Sequence, residues 1–473
     1  MPRWRIPVPR PKAARTASAG PLARTTAART RRRAVIPLAG LASAALVLTG
    51  CANPSTGSAD DDPTKPVTIK FWHGWSAPGE VKAINDSIAR FEKLHPNIHV
   101  QATGNVSDET INQALRAGGS KAPDVVTSFT TNNVGQYCSS GMWADLDPFM
   151  KKNGIDKNKI FPKTLLDYTQ YEGTQCALPL LADAYGMYYN KDLFKAAGIS
   201  RPPHTISEMK ADAAKLTEKN SNGTLKRAGF MPNFRLYQNS PDRMFAQWGP
   251  EYFTKEGKAQ LAEEPKTYAF FKAMDDISKA QGGYGKLERL RGSFGDEMSA
   301  QNGFLTQKLA MHLDGEWRGL MLDDAKAKFD WGVAPLPVPD DQAETYGRGY
   351  LTGTVAGVAH SSKHQNAAFE LVRYLTTDTE QVVDFANAIH NVPSTFAALK
   401  SPKLDADPSF QQFIKIAQNP DSQAIPPSNN GGQYITSLQD FSYSVEEGKV
   451  HNLKKGLEDL DHQIDADNLQ SEN

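Results

Sequence analysis

Between residues 67 and 128 the apolar pattern changes period four times, and that alternation constrains the fold more than any other feature of the chain. "VTIKFW" (67–72) is a β-rich run that starts after Pro66. Val81, Ile84, Ile88 and Phe91 then recur at three- and four-residue steps, the spacing of one helix face, and His95–Pro96 ends that helix. "NIHVQ" (97–101) reads as a second strand. Ile111, Ala114 and Leu115 mark a second helix, closed by Gly118–Gly119, and "DVVTS" (124–128) is a third strand. Strand and helix alternating through short joins predicts a parallel α/β layer. Right-handed crossovers place the strand C-termini at one edge, where such sheets bind ligands.

Two loops fall on that edge. After the first strand comes "WHGWS", with Trp72, His73 and Trp75; after the third comes "FTTNN", with Phe129, Asn132 and Asn133. Both mix aromatic surface with neutral hydrogen-bonding groups. The plainer alternative is that Trp72 is core and Trp75 covers a helix end. Further along, "CALPL" (176–180) and "AYGMYYN" (184–190) read as two strands joined by Leu181–Asp183, followed by helices near 191–197 and 206–219. "AGFMPN" (228–233), "LAMHLDG" (309–315), "WGVAPLP" (331–337) and "GYLTGTVAGVAH" (349–360) read as strands, Phe369, Val372 and Leu375 mark a helix, and the tail from about 441 reads as one charged amphipathic helix.

The N-terminus has a different logic. Residues 1–33 hold ten Lys and Arg and no acid, and residues 34–50 hold no charge. A basic zone before a short apolar one is the pattern of an export signal, here 1–50. Seventeen residues broken by Pro37 and Gly40 fall short of the ~20 that a spanning helix needs. "LTGC" (48–51) resembles the lipobox of bacterial lipoproteins, which implies diacylglycerol on Cys51 and anchoring to the outer face of the cell membrane. Arg32–Arg33 before Ala34–Val35 resembles a twin-arginine export signal, the general secretory route being the alternative. Two acyl chains hold firmly where one does not, at ~0.8 kcal/mol per buried CH₂. Residues 51–66 are small, acidic and Pro-containing, and read as a disordered tether of roughly 20 Å typical span.

Removing those ten basic residues from the chain's 53 Lys and Arg leaves 43 against 53 Asp and Glu. An acidic body without a basic block argues against nucleic acid as a partner. Besides Cys51, two cysteines remain. In an oxidising compartment Cys138 and Cys176 pair, or else stand as separate buried thiols; neither has His or Cys at metal-ligand spacing, so no metal and no cofactor is expected.

"FWHGW", "AINDSIARFEKLHPNIHV", "GMWADLDPF", "YYNKDLFKAAGI", "KLAMHLDGEW" and "WGVAPLPVP" occur in that order. Together they resemble the extracellular solute-binding proteins of ABC importers, in the branch of maltose- and oligosaccharide-binding proteins, over about residues 67–470. The resemblance implies a two-lobed periplasmic-binding-protein-like fold with a ligand cleft between the lobes. By analogy 67–182 plus 350–395 form the first lobe and 186–349 plus 400–473 the second, with hinges near Asp183–Gly186 and Gly349–Gly353. It also implies ligand contacts at Trp72, His73, Trp75, Asn132, Asn133, Asp183, Asn233, Arg235, Trp317, Gly353 and Tyr434, and the transmembrane subunits of a permease as partners of a monomer. Two other readings stay open: a binding protein for another solute, for which Arg235 and Arg348 offer positive charge, and a glycosidase, for which Asp145/Asp147 and Asp296/Glu297 offer carboxylate pairs.

Overall fold

The computed structural model describes residues 65–470. The segment 1–50, its Arg32–Arg33, Cys51 and all but the last two residues of the tether lie outside the described residues.

One ten-stranded mixed sheet organises the chain. Its strands are β1 Val67–Trp72, β2 Ile98–Thr103, β3 Val125–Ser128, β4 Leu178–Asn190, β5 Glu218–Lys219, β6 Leu225–Phe230, β7 Leu309–Gly315, β8 Trp331–Ala334, β9 Leu351–Val358 and β10 Val392–Pro393. The order is β2-β1-β3-β9-β4-β7-β6-β5, with β8 and β10 also paired to β4. β1 runs parallel to β2 and β3, as the alternating pattern requires. The helix between β1 and β2, Pro78–Leu94, buries Ala83, Ile84, Ile88 and Phe91, the stripe visible in the sequence. Pro78 opens it where an amide donor is not needed, and the Glu80 carboxylate accepts the N–H groups of Ser76 and Ala77.

β4 corrects the sequence reading. Leu181–Asp183 is no loop: a single strand of 13 residues runs through it. Its first part pairs with β9, with Asp183 opposite Thr352 and Ala184 opposite Leu351. From Tyr185 to Tyr189 it pairs with β7 instead. The strand is continuous because both backbone edges of Ala182 are used, one by Gly353 and the other by Val392. Asp has a low strand propensity, but here its carboxylate finds partners that offset it. Gly353 is needed for packing: a Cβ there would lie 2.1 Å from the Leu181 carbonyl oxygen.

The apolar cores follow this change of partners. Ile69, Phe71, Ile84, Leu180, Val358 and Phe369 pack together on the β1 side. Tyr185, Met187, Phe230, Phe270, Leu313 and Tyr434 pack together on the β7 side. The tail is two helices, Gln433–Glu446 and Leu453–Gln470, with Gly448 in the left-handed region between them. Asp461 fixes the second one by accepting the N–H groups of Leu261 and Ala262 at 2.9 and 2.8 Å.

Cys138, in the helix Asn133–Ser139, is disulfide-bonded to Cys176, two residues before β4, with a Cα–Cα distance of 5.6 Å. The pairing alternative therefore holds over separate thiols. The bond closes a loop of 38 residues. Loop-closure entropy for that length predicts that Cys138→Ser/Cys176→Ser lowers stability by about 4 kcal/mol, read as a drop in the urea midpoint at unchanged slope.

Candidate functional site

The place where β4 exchanges β9 for β7 is a topological switch point, and chemistry-bearing side chains converge there. Asp183 and Ala184 are the last residues paired with β9, and Tyr185 is the first paired with β7. β7 ends at Gly315, and Glu316 and Trp317 follow at once. Gly315 permits this turn: a Cβ there would lie 2.2 Å from the Trp317 ring. The Trp317 ring then stands edge-on to Tyr185, with centroids 5.6 Å apart. Tyr350 meets Tyr185 from another side at 5.3 Å, and the Arg243 guanidinium lies 5.1 Å from the Tyr185 centroid. Trp317 is half-buried.

Beneath this aromatic group lies a polar floor. The Asn391 amide donates to Asp183 Oδ1 and to Glu316 Oε1, both at 2.7 Å. The Ala184 N–H donates to Glu316 Oε2 at 3.1 Å. Burial raises the Asp183 carboxyl to about 6, against the opposing pull of Arg243 and of a hydrogen bond with Glu316. Burial and the Asp183 charge push Glu316 well above the usual carboxylate range. The loop after β3 reaches the same floor, because the Thr131 and Thr352 hydroxyls lie 3.1 Å apart and Thr352 faces Asp183 across the sheet.

Several buried polar atoms around the site have no protein partner: Ser240 Oγ, Asp242 Oδ1, Arg243 Nε and Trp317 Nε1. Each such atom costs about 1–3 kcal/mol if left bare, so a ligand or water that supplies partners is favoured there. The turn is secured from behind by an ion pair between Arg318, 1 % exposed, and Asp314, 0 % exposed, with Arg318 Nη1 donating to the Glu297 carbonyl at 2.8 Å.

Residues 76–382 match the family of bacterial extracellular solute-binding proteins. The chain belongs to that family. Among relatives, this solute-binding protein is 22% identical over 353 residues to the maltotriose-binding protein of Pyrococcus abyssi, covering 74% of this chain and 72% of the relative. It is 24% identical over 309 residues to the sn-glycerol-3-phosphate-binding periplasmic protein of Brucella abortus, covering 62% and 66% of the two chains. Among solved structures, CpMnBP1 with mannotriose bound superposes with a TM-score of 0.69 at 24% identity, covering 84% of this chain and 99% of that one. The fold is accordingly the two-lobed α/β periplasmic-binding-protein fold.

The other residues singled out in the sequence of the solute-binding protein scatter around this floor. Trp75, 3% exposed, packs edge-on against Phe385 and Phe129, so it is a core residue here. His73 is 2% exposed and sits between the Phe71 and Trp75 rings. Burial lowers its pKa to about 4, so its imidazole is neutral at pH 7. Trp72 is half-buried against the neighbouring apolar cluster. Asn133 Nδ2 donates to Ser128 Oγ at 3.3 Å, while Asn132 packs on Gly432, where a Cβ would lie 2.8 Å from its amide nitrogen. Tyr434, 1% exposed, donates its hydroxyl to the Pro426 carbonyl at 2.6 Å and packs edge-on against Tyr252 and Phe253. Asn233 lines a separate cavity of about 330 Å³ with Phe234, Phe271, Met274 and Glu446. Arg235 is tied to Glu447 at 3.1 Å and lies over the Tyr443 ring.

Asp183 and Trp317 are thus the two expected residues that the fold brings together through Tyr185 and Glu316. Glu316 stands inside "KLAMHLDGEW", where a carboxylate after a strand carries no local sign of its role; Arg243 and Asn391 lie in stretches with no distinguishing pattern. Among the described residues, no helix is long and apolar enough to cross a membrane.

Proposed function

We propose that this solute-binding protein captures an uncharged sugar or oligosaccharide at the Asp183–Trp317 site and hands it to the transmembrane subunits of an ABC permease. The observation that carries the reading is the half-buried Trp317 ring, backed by the buried Tyr185 and, behind that, Tyr350, beside a hydrogen-bonding floor of Asp183, Glu316 and Asn391. A pyranose has an apolar C–H face and a rim of hydroxyls. The face suits large rigid rings, and the rim suits donors and acceptors placed one by one. Micromolar capture needs only about −8 kcal/mol.

In this reading the first lobe takes 67–182 plus 350–395 and the second 186–349 plus 400–473. The crossing segments bend near Asp183–Gly186 and Gly349–Gly353, so that closure buries the ligand from both sides. Residues 1–50 direct export, Cys51 carries the lipid that holds the protein at the outer face of the membrane, and 51–66 act as the leash.

An anionic solute, such as a phosphate ester, fits less well. Arg235 is already held by Glu447, and Arg348 is 5% exposed and donates to Gln342 Oε1 at 2.7 Å. A glycosidase fits less well too. Its carboxylates flank the bond from opposite sides, whereas Asp183 and Glu316 are bridged by one amide nitrogen, 2.7 Å from each. Asp147 is engaged by Lys157 and the Gln175 N–H, and Asp296 by the Met298 N–H.

A thermal-shift screen of mono- and oligosaccharides, with maltotriose and mannotriose included, tests the proposal. At least one neutral sugar is expected to raise the melting temperature. If none does and a glycosidic bond is cut instead, the proposal fails.

A further inference from the structure

Three separate segments meet in the floor of the site. Asp183 belongs to β4, Glu316 follows β7, and Asn391 directly precedes β10. The two hydrogens of the Asn391 amide are both spent, one on Asp183 Oδ1 and one on Glu316 Oε1. The Ala184 N–H takes Glu316 Oε2. One amide nitrogen 2.7 Å from each therefore holds the two carboxylates close together, with Glu316 buried. Two ionised carboxylates held so close in a buried site repel each other, and a proton kept by the pair removes that repulsion.

We infer that Asn391 is a positioning residue that holds Asp183 and Glu316 side by side as a pair carrying one proton, and that this triad ties the three segments together at the switch point. The inference goes beyond sugar capture and does not depend on which solute is bound.

The surroundings agree. Arg243 is the cation whose charge is felt at Asp183, and Glu316 feels Asp183. The neighbouring phenols are Tyr168, Tyr185 and Tyr188; the Tyr188 hydroxyl donates to the Gly315 carbonyl at 2.9 Å. Asp314 and Arg318, from the end of β7 and the helix after it, satisfy each other. Arg243 is shared with the buried Asp242 carboxylate, so one cation serves Asp183, Glu316 and Asp242, and the shortage of positive charge favours keeping a proton on the pair. Both carboxyls are also shifted in the direction that retains it, Asp183 to about 6 and Glu316 well above the usual carboxylate range.

The sign of the linkage is fixed by this arrangement. Free carboxylates ionise near pH 4, so from about pH 5 upward, until the pair itself ionises, the folded chain holds a proton that the unfolded chain has lost. Stability therefore falls as pH rises through that window. The test is the melting temperature of the full chain, without ligand, at several pH values between about 5 and 8, for wild type, Glu316→Gln, Asp183→Asn and Asn391→Asp. In Glu316→Gln an amide hydrogen replaces the proton, so the slope should flatten by roughly 2 °C per pH unit relative to wild type. Asp183→Asn should flatten it equally, and serves if Glu316→Gln does not fold. Asn391→Asp adds a third carboxylate and should steepen it. Slopes parallel to wild type in Glu316→Gln or Asp183→Asn overturn the shared proton. A parallel slope in Asn391→Asp overturns the positioning role, because a merely structural asparagine would change the height of the curve and not its pH dependence.

Discussion

Trp317→Ala is expected to leave the fold intact and to weaken binding of any sugar that stabilises the wild type by about tenfold or more, which is about 1.4 kcal/mol or more. The ring is half-buried, touches Tyr185 edge-on, and is held over the end of β7 by the absence of a side chain at Gly315. Removing it takes away the flat apolar surface against which a sugar face packs, while Asp183, Glu316 and Asn391 stay in place. The control is Trp75→Phe. Trp75 is buried against Phe385 and Phe129, so its replacement should cost stability and leave affinity nearly unchanged. Calorimetric titration of both variants decides the matter: unchanged affinity in Trp317→Ala removes that residue from the site.

Arg318→Met is expected to be the most destabilising single change near the site. Asp314 and Arg318 are both essentially without solvent contact. Breaking a buried pair from one side leaves a bare charge and costs about 3–5 kcal/mol. His312 Nε2 also lies 3.3 Å from Asp314. Asp314→Leu/Arg318→Met removes both charges and should recover most of the stability. Urea titration measures all of this, and a cost below about 1 kcal/mol for Arg318→Met would show that the pair does not secure the turn carrying Glu316 and Trp317.

Much of the sheet was legible because its first layer is periodic. The stripe from Val81 to Phe91 and the runs at 67–72 and 124–128 can satisfy their apolar faces in few other ways. β4 was not legible. Asp183 in the middle of an apolar run reads as a break, and only the distant Asn391 and Thr352 explain why the strand continues. The aromatic residues were ambiguous for a related reason. Trp75, Tyr434 and Trp317 each follow a glycine within two residues, yet the first two fill cores and the third is half-buried beside Tyr185. Burial is set by which segments meet, and that is a long-range property. Asn391 had no local signature at all: it follows His390, whose left-handed backbone (φ 53°) turns the chain into β10.

The measurement that bears most directly on capture without chemistry is a calorimetric titration of the full chain with the sugar that most raises its melting temperature, followed by chromatographic recovery of that sugar. One-site binding in the micromolar range, with the ligand recovered unaltered, is the predicted result. Sustained heat with a cleaved glycosidic bond, or no binding by any neutral sugar, would contradict it.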